Sequence, residues 1–310
     1  MVGMTAVEII SPRTVPLGGQ RAMDVQRTLP HRDRATIGAW CFADHYGPEE
    51  TKMDVPPHPH TGLQTVSWLL EGSIKHDDSG DRHEMVRPGD LVIMTAGSGI
   101  CHSEVSQSER LHGVQLWVVL PEHARHMERR LDVFHTPTTE VEGGEALVFL
   151  GSMLGVTSPV ETHTPLLGAE VRIDPGASIT LDLDPTYEHG ILVDAGPVLV
   201  DGQGGTELNR HDLGYIAPGP TEVVLENPGP DRARVVVLGG TPFEEEFIMW
   251  WNFIGRTHEE IELYREEWMA HGDRFGTTHG YVGGGPDPLP APVMPNARLK
   301  LRGGKFNRKR

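Results

Sequence analysis

Two short motifs in this chain carry the residue types and spacing of a metal site: His58-Pro59-His60 and His102-Ser103-Glu104. Neutral imidazoles and a carboxylate are donors that first-row divalent ions accept. Residues at i and i+2 of a β-strand point to the same face, so each pair can converge on one point if it lies on a strand. Any one of the 17 histidines is more often a surface or structural residue. Four ligand-type residues arranged as HxH and HxE, each beside turn chemistry, are much harder to assign to chance. The stretch from His60 to His102 is long enough for several antiparallel strands, which a sheet needs in order to fold back as a barrel and bring the pairs together. Three imidazoles and a carboxylate suit Fe(II). Mn, Ni, Cu or Zn also accept them, because these ligands select weakly among such ions. An octahedral ion with four protein ligands keeps two positions open for substrate or dioxygen.

The elements that must position these residues read as strands. Gln64–Leu70, Leu91–Met94 and Gly113–Leu120 are apolar runs, separated by turn chemistry at Glu71-Gly72, Ser79-Gly80 and Arg87-Pro88-Gly89-Asp90. The glycines of residues 95–99 (TAGSG) permit the tight bend that aims His102 inward. Cys101, next to it, falls on the opposite face as a buried core thiol. Gln115 can face the cavity and bind substrate or water, and Gln64 is a second substrate-binding candidate. His76 and Asp78 read as structural turn residues. Upstream, residues 5–10 (TAVEII) form an opening strand able to pair with either half of the chain. Residues 17–35 read as polar loops, and Asp44-His45 as a pair that fixes a turn. Pro121–Leu131 reads as a short polar helix with proline in its first turn.

After a loop at 135–145 short strands recur, from Ala146–Leu150 to Arg234–Leu238, at the spacing of an all-β sandwich or barrel. This second series has the rhythm of the first but no HxH. Its ligand candidates, Glu188-His189 and His211-Asp212, sit near turns. Thr257-His258-Glu259-Glu260 is a capping box, and Ile261, Tyr264 and Trp268 recur at helical spacing up to Gly272. Trp250-Trp251 before it read as packing anchors. The sequence ends in ARLKLRGGKFNRKR, a basic tail for which a solvated state is the commonest outcome.

A length of 310 residues allows two domains of roughly 100–150 residues each. Gly 37 and Pro 25 supply the turns of a β-rich chain. A net charge of −17 disfavours direct nucleic-acid binding by the body of the protein, and binding to anionic membranes. No segment approaches the about 18 apolar residues of a membrane span. Two cysteines and a start without a basic n-region point to a reducing, cytoplasmic setting.

HPHTGLQTVSWLLEG, HDDSG, RPGDLVIMTAGSGICHSE and LHGVQLWVVLP, in this order, resemble the pirin family over about residues 40–121. MWWNFIGRTHEEI extends the likeness to roughly 260. The resemblance implies an all-β fold of two tandem cupin barrels (double-stranded β-helix, or jelly-roll) with a short C-terminal helix. Residues 1–138 would be the metal-binding barrel and 139–245 a barrel without metal ligands. Residues 246–310 would carry the helix and a Pro/Gly-rich basic tail. The family's ligands fall on His58, His60, His102 and Glu104. Where a generic cupin has a glutamate after HxH, Gln64-Thr65 stand here, so the acid must come from Glu104.

Two classes of function follow from the resemblance. One is quercetin 2,3-dioxygenase activity on a phenolic, flavonol-like substrate and dioxygen. There Glu104 takes the proton of the flavonol 3-hydroxyl, the ion acts as a Lewis acid, and the heterocycle opens with loss of carbon monoxide. The alternative is a non-catalytic, iron-dependent cofactor that binds a protein partner, a transcription factor or a metabolic enzyme.

Overall fold

Residues 5–17, 23–50 and 52–304 are described by the computed structural model. Short apolar runs broken by glycine and proline turns have little choice but to pair with one another, and every pairing between strands is antiparallel. The first strands are β1 (Val7–Ile10), β2 (Arg13–Leu17), β3 (Met23–Leu29), β4 (Trp40–Glu50), β5 (Asp54–His60) and β6 (Leu63–Glu71). There follow β7 (Ile74–Asp78), β8 (His83–Val86), β9 (Asp90–Thr95), β10 (Ile100–Ser106), β11 (Arg110–Val119) and β12 (Arg130–His135). One sheet runs β12-β9-β6-β11-β4-β3-β2 and the second β5-β10-β7-β8. Leu69, Val92 and Met94 of the first sheet share an apolar core with Ile74, Val86 and Ile100 of the second, which closes the N-terminal barrel.

The C-terminal barrel repeats the plan with a seven-stranded and a four-stranded sheet. Its central strands are Leu166–Ile173, Glu188–Ala195 and Ala233–Gly240. The opening strand joins this sheet, with Val7 opposite Ile216 and Ile10 opposite Leu213. A division at 138 would have left it with the first barrel. Ile10 instead enters the apolar core that the two barrels share.

That shared core explains why β6 is buried on both faces over residues 63–69. Trp68 stacks on Phe149 at 4.5 Å and donates its indole N–H to Glu170 Oε2 at 2.8 Å. Trp40 donates to the carbonyl of Leu167 at 3.0 Å. Each indole finds a polar partner across the junction, so burying it does not strand an N–H.

Beyond the barrels, a hairpin of Glu246–Trp250 and Phe253–Gly255 leads into α1 (His258–Met269). Thr257 caps the helix by accepting from Glu260 N at 3.1 Å, and Glu260 Oε2 accepts from Arg256 N at 2.6 Å. The first bond occupies an orphan donor of the first turn, and the second ties the residue before the cap to the same glutamate. Ile261, Tyr264 and Trp268 pack with Phe253, Phe275 and Cys101 against the first barrel.

Several local expectations are corrected. Residues 23–29, read as loop, are β3; residues 18–22 lie outside the described residues. Pro121–Leu131 is not a helix: residues 122–126 are turns, and Arg130 and Leu131 open β12. A lone i→i−4 bond from Arg125 N to Pro121 O is not continued, and Arg125 is held sideways by Glu122 and Glu260. Asp44 and His45 lie inside β4, with Asp44 paired to Arg27 through two contacts of 2.6 Å. The described part of the basic tail is docked: Arg302–Gly303 pairs with Glu246–Phe247, and Arg298 reaches Glu259 at 2.6 Å. Residues 305–310, the tail's end, are outside the described residues. Among the described residues, no helix is long and apolar enough to cross a membrane.

Candidate metal centre

Antiparallel register between β5 and β10 sets His102 opposite His58 and Ile100 opposite His60. The period-2 geometry of each strand then presents His58, His60 and His102 to the same interior. The three rings have centroid separations of 4.3, 4.9 and 5.0 Å. One donor nitrogen from each lies within 4.8 Å of the others, and His60 Nε2 is 3.1 Å from His102 Nε2. The bend before β10 depends on Gly97, whose φ of 52° is left-handed and whose absent side chain would strike the Met127 carbonyl.

Backbone carbonyls select the tautomers. His58 Nδ1 lies 2.8 Å from the Pro56 carbonyl and His60 Nδ1 lies 3.2 Å from the Asn252 carbonyl. A carbonyl only accepts, so both rings carry their proton on Nδ1 and leave an Nε2 lone pair free. His102 is oriented by a chain of side chains. Asp78 Oδ2 accepts from His76 Nε2 at 3.3 Å, and His76 Nδ1 then accepts from His102 Nδ1 at 3.4 Å. Burial pushes the His58 imidazole down to about 4 and holds those of His60 and His102 well below their usual value. The rings are therefore neutral donors near neutral pH.

Glu104 lies two residues after His102 on β10, past a shift in register with β5. Its carboxylate groups with His102 and His76, within 4.8 Å, rather than with all three convergent imidazoles. Ser67 Oγ is 3.0 Å from Glu104 Oε1 and 3.1 Å from Gln115 Oε1, with one proton to give. Burial raises the Glu104 carboxyl above its ordinary range, opposed by His76 and Ser67.

A cavity of about 410 Å³ opens onto these residues, inside the ~300–1,000 Å³ range of small-molecule pockets. Gln115 lines it, as expected. Gln64 does not: on β6 it is Thr65 and Ser67 that face inward, and Gln64 points the other way to donate to Thr95 Oγ1 at 2.9 Å. Its apolar lining includes Phe42, stacked on Trp117 at 4.2 Å, together with Met249 and Trp251. Arg13, Arg27 and Arg302 supply positive charge.

Trp251, read as a packing anchor, thus contributes to the cavity. It occupies a two-residue hairpin turn at a φ of 52°, a conformation usually left to Gly, Asn or Asp. The Asn252 carbonyl, His76 as a ring partner, Trp251 and Arg302 were all missed in the sequence. Only the HxD pattern of residues 76–78 signalled any of them, since the others act through backbone atoms or distant folding.

The donor set fits a first-row divalent ion: three neutral imidazoles with free Nε2 lone pairs, and a buried carboxylate beside one of them. Their outer nitrogens are also engaged, as metal-binding histidines require.

The chain is similar to known proteins over most of its length. Family models described as Pirin and as Pirin C-terminal cupin domain match residues 22–118 and 168–276. The chain is 36% identical over 294 residues to a Pseudomonas aeruginosa protein named "Putative quercetin 2,3-dioxygenase", covering 92% of this chain and 90% of that one. It is 35% identical over 212 residues to human Pirin, covering 66% and 73%. A crystal structure of quercetin 2,3-dioxygenase from Acinetobacter baumannii superposes with a TM-score of 0.87 at 36% identity, covering 96% and 98%.

Proposed function

The chain belongs to the pirin family, and from that premise we propose that it is a metal-dependent dioxygenase of the quercetin 2,3-dioxygenase type. The observation that carries this reading is the set of free Nε2 atoms of His58, His60 and His102 converging where an aromatic-walled cavity begins. In this proposal His58, His60, His102 and Glu104 hold Fe(II), with Mn, Ni, Cu or Zn as the other ions these donors accept. When bound, the ion supplies Lewis-acid polarisation of a substrate's oxygen atoms.

The residues of the chain do the rest. Phe42, Trp117 and Trp251 offer flat apolar surface to a planar phenolic ring system. Arg13, Arg27 and Arg302 favour the anionic, deprotonated form of such a substrate. Glu104, its carboxyl raised by burial, is suited to take a phenolic proton at Oε1 or Oε2, with Ser67 turning its hydroxyl from the carboxylate to Gln115 Oε1 as that proton arrives. Burial of the site excludes bulk water from this exchange. A cytoplasmic location belongs to the same proposal, and the two buried free cysteines support it.

The test is oxygen uptake and carbon monoxide release by iron-loaded protein supplied with quercetin and related flavonols. Saturable uptake that disappears in His102→Ala is expected. A fully loaded sample that consumes no oxygen with any flavonol would overturn the enzymatic reading in favour of an iron-dependent, partner-binding role.

A further inference from the structure

A second convergence of ligand atoms lies at the junction of the barrels, apart from the cavity described above. His45 Nε2 and His112 Nε2 are 3.2 Å apart, and they lie 2.6 and 2.5 Å from the same oxygen, Asp194 Oδ1. His45 comes from β4 and His112 from β11, whereas Asp194 lies on Glu188–Ala195 of the other barrel. All three are buried. Asp194 is the extra residue of a bulge, since Val193 and Ala195 pair with the adjacent residues Val235 and Arg234. The register also shifts at His112. A bulge of this kind re-aims a side chain, and here it turns Asp194 towards the two histidines.

Proton bookkeeping makes a simple hydrogen-bonded cluster awkward. Each Nε2 has one in-plane valence. If both nitrogens donate to Asp194 Oδ1, its lone pairs take both protons, and His45 Nδ1 is left as a buried lone pair without a partner. If one nitrogen is unprotonated, its lone pair faces the carboxylate. A divalent cation would instead receive three lone pairs, one from each residue. The Nε2–Nε2 separation matches that of His60 and His102 in the N-terminal site. His211, held at a φ of 73°, sets its ring 4.6 Å from that of His45, and its Nε2 is likewise buried and unpartnered.

The surroundings hold the cluster and give access to it. Arg234 Nη1 takes the other carboxylate oxygen at 3.4 Å. Arg210 donates to the Asp194 carbonyl and to the Gly47 carbonyl, both at 2.9 Å, tying the two barrels beside the cluster. His112 and Asp194 line a cavity of about 610 Å³, through which an ion can enter and a water complete its coordination.

We infer that His45, His112 and Asp194 form a second divalent-metal site, of the His₂-carboxylate type that zinc accepts, and that the ion clips the two barrels together. This site is independent of the proposed catalytic centre and of its metal.

The test uses the full chain with the N-terminal site disabled by His58→Ala and His102→Ala. Equilibrium dialysis against zinc is expected to find one ion per chain in this background, and zinc is expected to raise its melting temperature. Cobalt(II) loading should give the intense visible bands of a four-coordinate ion. His112→Gln, at the rim of the cluster, and separately Asp194→Asn, should abolish both the binding and the thermal shift. If Asp194→Asn fails to fold, the folded His112→Gln protein decides. A background protein that binds no zinc, or a folded His112→Gln protein that binds it undiminished, would leave only a hydrogen-bonded cluster and overturn the inference.

Discussion

His60 and Asn252 are 192 residues apart in the chain, yet the Asn252 carbonyl lies 3.2 Å from His60 Nδ1 and fixes which nitrogen of that ring faces the cavity. The hairpin carrying Asn252 is anchored to the barrel by Ile254 N, which donates to the Thr61 carbonyl at 3.0 Å, and by Thr61 Oγ1, which donates to the Ile254 carbonyl at 3.2 Å. The C-terminal segment therefore finishes a site whose candidate ligands all lie in the first barrel.

Removing one candidate ligand should empty the site without unfolding the barrel. His58→Ala and Glu104→Ala are expected to keep a native circular-dichroism spectrum and to retain little metal by elemental analysis. Full occupancy in both variants would remove the ligand assignment.

His76 acts through His102 and is a positioning residue. His76→Ala leaves His102 Nδ1 without its partner. A drop in metal affinity of about tenfold, the lower end for loss of an outer hydrogen-bond partner, is expected in a chelator competition assay. His76→Asn, able to accept from Nδ1, should recover part of it. Unchanged affinity in the alanine variant would show that the contact is incidental.

Trp251→Ala should spare the metal and weaken the substrate. An aromatic wall contributes about 0.5–1.5 kcal/mol beyond its area, so the KM for a flavonol is expected to rise between about twofold and tenfold, with kcat less affected. Loss of metal in this variant, measured on the same preparation, would place Trp251 in the support of the ligands instead.

Acid should destabilise the metal-free protein over a defined window. His58 and His189 are each pushed down to about 4 by burial, from an unfolded value near 6.5. Between those values the unfolded chain binds the proton and the folded one does not, so stability is full above about 6.5 and falls as the pH drops towards 4. For His58 the loss is on the order of 3 kcal/mol. Urea midpoints at pH 7.5 and 4.5 measure it, and equal midpoints would contradict it.

Neither cysteine should react in the folded protein. Cys101 is buried, its thiol is pushed up to about 11 by burial, and Thr278 Oγ1 sits 3.0 Å from its sulfur. Cys41 is buried in the shared core. A thiol-disulfide reagent at pH 8 should label both only after denaturant is added. Rapid labelling of the native chain would show that the segment around Thr278 opens.

The sequence by itself determined the all-β class, the two-barrel rhythm, the capped helix, and the HxH and HxE pairs from which His58, His60 and His102 come together. The reason is that strand geometry is local: HxH and HxE on strands must each present two side chains to one face. Where both faces of a strand are buried, that logic loses its outward marker. LQTVSWLLE does not alternate, so nothing in it separates Gln64 from Thr65, and only the packing of Trp68 against Glu170 shows which face looks into the barrel. Tertiary structure alone decided the rest. The Asn252 carbonyl, the Trp251 turn and the docked Arg302 reach the cavity from the end of the chain, and His45, His112 and Asp194 meet across two domains through bulges in register. Such contacts depend on long-range closure and on single-residue shifts in pairing, and no local spacing encodes either.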